Sequence, residues 1–69
     1  MKVVDEIFAA VNLKKEDHEE IYKRCEEIMM ETEAELSVIY GLSRKRLEAY
    51  ESQKQSLIEE LRAHFGTAA

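Results

Sequence analysis

With 69 residues, 36% of them charged, and a formal net charge of −5, the chain holds one domain at most and on average repels nucleic-acid phosphates and anionic lipid. Cys25 is the one cysteine, which excludes an internal disulfide, and the two distant histidines, His18 and His64, give no recognisable Cys/His metal set. The absence of proline, only two glycines and an abundance of Glu, Lys, Leu, Ala and Ile favour helix over strand, so a single all-α domain over residues 1–69 is expected.

A chain of this size is short of core. Below about 70 to 80 residues one hydrophobic core seldom supplies more than about 3 to 5 kcal/mol. Self-association or a bound partner is the expected supplement, since neither a disulfide nor a metal is on offer. Met1 to Leu13 lacks the unbroken apolar run and small-residue cleavage site of a secretory leader, and nowhere do eighteen apolar residues stand together. A cytoplasmic protein without a membrane partner is expected, in keeping with a single free thiol.

In chain order, Val3, Val4, Ile7, Phe8 and Val11 recur at helical spacing, which predicts a short helix over 2–11 with one apolar stripe. Asn12 to Glu16 reads as a polar connection. Asp17 followed by Glu20 has the form of a capping box opening a second helix over 17–40. Along it Ile21, Cys25, Ile28, Thr32, Leu36 and Ile39 step by fours and threes, widened by Tyr22, Met29 and Tyr40. Gly41 fits a left-handed helix end and Ser43 a favoured N-cap. Leu47, Tyr50, Leu57, Ile58, Leu61 and Phe65 then mark the inner face of a third helix over 43–65, which Gly66 closes.

Two helices of nearly equal length joined by a tight turn predict an antiparallel hairpin. Folding the chain back about Gly41 and Leu42 sets Leu36 against Leu47 and Cys25 against Ile58, with Thr32 near Tyr50 and Glu51 as a polar layer. A second geometry stays open. Cys25, Leu36, Leu47 and Ile58 are spaced by eleven, a repeat that suits one continuous helix in a right-handed coiled coil. Glycine at position 41 would cost such a rod about 1 kcal/mol relative to alanine.

Charge is unevenly placed. Between Asp17 and Tyr40, eight acids face Lys23 and Arg24, a net of −6, whereas Ser43 to Phe65 carries five bases against four acids, a net of +1. The acidic stretch from Glu19 to Glu35 reads as a solvated face supported by pairs such as Glu19 with Lys23. The alternative is a surface for a basic partner, or a mimic of nucleic acid.

The segment Ala34 to Tyr50 resembles the helix-turn-helix of bacterial DNA-binding regulators, with Leu36, Ser37, Tyr40, Gly41, Leu42, Leu47 and Tyr50 in the positions that lock two helices across a turn. That resemblance implies DNA as partner and Ser43, Arg44, Lys45 and Arg46 as the opening of a recognition helix reaching bases and phosphates. It also requires the preceding helix to break near Thr32. The run Gly41 to Tyr50 equally resembles the turn of small helical-hairpin dimerisation modules in bacterial repressors and their antagonists. Such junctions serve protein pairing as readily as DNA reading.

No catalytic residues, cofactor or metal site are expected. Cys25 lies on the inner stripe, where a free cysteine behaves as a small apolar residue, and Glu60 with His64 is a lone i, i+4 pair. The first functional expectation is a non-enzymatic module that binds itself or another protein. Its expected contact residues are Tyr22, Met29, Met30, Val38 and Tyr40, which lie at or beyond the edge of the inner stripe with only a short helix to cover them. A small DNA-binding regulator is the alternative, and an unbroken helix through Thr32 favours the first.

Overall fold

A computed structural model describes residues 1–66. Helix α1 spans Lys2–Ala10, a single 3₁₀ turn spans Lys15–Asp17, α2 spans Glu19–Tyr40 and α3 spans Arg44–Phe65. The three expected helices are present, and no strand occurs among the described residues. The continuous rod is excluded, because the chain reverses at Gly41. His18, at the start of α2, packs edge-on against Phe65 at the end of α3 with ring centroids 4.8 Å apart. Arg62 of α3 also donates to the carbonyl of Ala10 at 3.3 Å, so the far end of α3 has returned to the base of the molecule.

The connections follow from local chemistry, though not always as expected. After α1, Asn12 takes φ 56° while its N–H reaches Ala9 O and that of Leu13 reaches Phe8 O. This paired arrangement is a Schellman cap, with asparagine tolerating the left-handed position and Leu13 turned back to the core as its apolar companion. The expected capping box at Asp17 is absent: Asp17 ends the 3₁₀ turn, and α2 starts after His18 with no side-chain cap. At the hairpin turn Gly41 has φ 62° and ψ −135°, a positive-φ conformation outside the left-handed helical well and one that only glycine enters cheaply. Ser43 holds the N-cap position of α3, but its hydroxyl makes no cap hydrogen bond.

The core is gathered at one end. It consists of Val4, Ile7, Phe8 and Val11 from α1 and its exit, Tyr22, Cys25 and Met29 from α2, and Leu57, Ile58 and Leu61 from α3. Four of these ten come from the shortest helix region, so α1 is a principal core element rather than an accessory. At about 1.5 Å per residue, its nine residues reach only about 14 Å, against about 33 Å for each long helix. The α1 segment meets α3 at Arg62 and Lys54 and α2 at Tyr22 and Glu26, so the Gly41 end of the hairpin has no third helix over it. We refer to the covered end as the base and to the end at Gly41 as the tip.

Candidate functional site: the uncovered hairpin tip

At the base, polar groups secure α1. The N-terminal amine donates to the Tyr22 hydroxyl at 2.9 Å, and that hydroxyl donates to Asp5 at 2.5 Å. The amine also lies 3.6 Å from Glu26, and Lys54 of α3 lies 3.6 Å from Glu6. The hydrogen bond to the Asp5 carboxylate, followed by burial and the negative charges of Asp5 and Glu26, pushes the Tyr22 phenol up to about 12. Phe8 meets the Tyr22 ring edge-on at 5.2 Å, and Lys15 sits 4.7 Å over that ring's centroid. Tyr22 is thus held from all sides.

This corrects part of the expected contact surface. Tyr22 is 3% exposed and Met29 is fully buried; Tyr22 packs against Phe8 of α1, and Met29 belongs to the same core cluster. Met30, Val38 and Tyr40 are on the surface, at 62%, 87% and 39% exposure.

The structure also places at the surface residues that periodicity assigned to the inner stripe. Ile39 and Leu47 are 67% and 56% exposed, and Leu42 in the turn is 91% exposed. Two helices in contact can bury only the line between them, and beyond the reach of α1 nothing flanks that line. Val38, Ile39, Tyr40, Leu42 and Leu47 therefore form an apolar cap on the last turns of the hairpin. The sequence signal that identifies it is the mismatch in length between the first helix and the other two.

The basic cluster separates into two kinds of residue. Ser43, Arg44 and Lys45 are exposed. Arg46 instead lies back across the hairpin and pairs with Glu33 of α2 at 2.7 Å, its side chain only 16% exposed. Its Nε is buried without a hydrogen-bond partner, so the guanidinium is anchored at one end only. Helix α2 runs unbroken past Thr32, and the steeply angled helix pair that ends there in a helix-turn-helix is not formed.

Among the described residues no group of three potential metal-ligating side chains occurs. Cys25 is buried, and burial first, then the charge of Glu60, pushes its thiol up, the opposite of what a nucleophilic cysteine requires. Burial, followed by Glu33 and Glu6, likewise raises the Tyr50 phenol. No described helix is long and apolar enough to cross a membrane. Comparison with family models, curated proteins and solved structures returned no match. Fold and site together define a three-helix protein whose long hairpin projects an apolar tip beyond its core.

Proposed function

We propose that this chain is a non-enzymatic protein–protein interaction module, an adaptor, small chaperone, antagonist or assembly subunit, that makes contact through the hairpin tip. The observation that carries the reading is the contiguous run of apolar side chains at the turn, with Val38 at 87% and Leu42 at 91% exposure. Residues so apolar, adjacent in the chain and projecting from both long helices, are costly to leave in water and are typical of surfaces that pair. Their absence from the core means that selection for stability alone does not call for them.

The DNA-binding alternative draws on Arg44 and Lys45 but lacks Arg46, which is paired with Glu33, and it would bring Glu48 and the acidic α2 toward phosphate. Protein contact is the better supported of the two. A photo-cross-linking residue at Leu42 is expected to trap a protein, of this or another sequence, that the same residue at exposed Ser56 near the base does not. Equal trapping at both positions, or none at Leu42, would refute the reading. Duplex DNA is expected to show no binding even at about 50 mM salt, where phosphate contacts are strong.

A further inference from the structure

We draw no further inference here: the strongest candidate, the exposed apolar cap of Val38, Ile39, Leu42 and Leu47 at the hairpin tip, is an unpartnered face, and nothing in the structure shows what covers it.

Discussion

Base and tip are made of the same two helices and the same kinds of residue, yet they place those residues oppositely. Ile28 packs against the core and Ile39, on the same stripe of α2, is 67% exposed; Leu57 is 4% exposed and Leu47, on the same helix, 56%. Hydrophobicity does not separate the members of these pairs. What separates them is whether α1 lies over the line between α2 and α3, and α1 ends after about 14 Å. The base is a three-helix core that supports the fold, and the tip is a two-helix projection that the fold can lose little by altering.

The sharpest way to break this comparison is at the base. Ile7→Ala removes a fully buried side chain from the helix that supplies much of the core, a change that costs about 2 to 5 kcal/mol. That matches the whole stability expected of so small a domain, about 3 to 5 kcal/mol, so the variant is expected to be largely unfolded by circular dichroism at room temperature.

At the turn, Gly41→Ala meets no steric neighbour, but its φ of 62° and ψ of −135° are costly for any residue with a Cβ. A loss of about 1 to 3 kcal/mol in denaturant titration is expected. Little loss would mean that the turn relaxes without unravelling α2 or α3. Arg46→Ala removes the pair to Glu33 together with the packing of a largely buried stem, and about 1 kcal/mol is expected, reduced at high salt only in part.

A pH titration sharpens the base from the other side. The Tyr22 phenol, pushed up to about 12 by Asp5 and burial, is neutral in the fold at pH values where an unfolded tyrosine, near 10, ionises. Its contribution to stability is therefore complete below about pH 10 and is lost as pH rises through about 12. Tyr50 is raised as well, so the reading is made by difference: Tyr22→Phe is expected to remove the phenolate step near pH 12, and an unchanged late step would contradict the Tyr22 to Asp5 bond.

The smallest effect belongs to the tip. Leu42→Ser is expected to change stability in dilute solution by no more than about 0.5 kcal/mol, because the leucine is 91% exposed. A loss comparable to that at Ile7 would show that the tip is part of the core after all.

Much of the fold was legible in the sequence. The 3.6-residue periodicity located all three helices to within about two residues, and Gly41 marked the reversal. The cap at the end of α1 could have been read from Asn12 followed by Leu13, whereas the capping box suggested by Asp17 and Glu20 did not form because a 3₁₀ turn takes up Asp17. The site was less legible. Ile39 and Leu47 share the stripe of Cys25 and Ile58, and periodicity alone cannot tell a stripe that is covered from one that is not. Arg46 sits in an unbroken run of three bases, and nothing in that run distinguishes the one that turns back to Glu33.

Local propensity and spacing by themselves determined that this chain is helical, where its helices start and stop, and that it has more apolar side chains than two helices can bury. Tertiary structure alone decided which of them remain outside. The choice depends on where a nine-residue helix comes to rest along a hairpin more than twice its length. That position is set by contacts between residues distant in sequence, among them Asp5 with Tyr22, Glu6 with Lys54 and Ala10 with Arg62. No periodicity within a single helix encodes such contacts, because periodicity describes which way a side chain points and not what it meets.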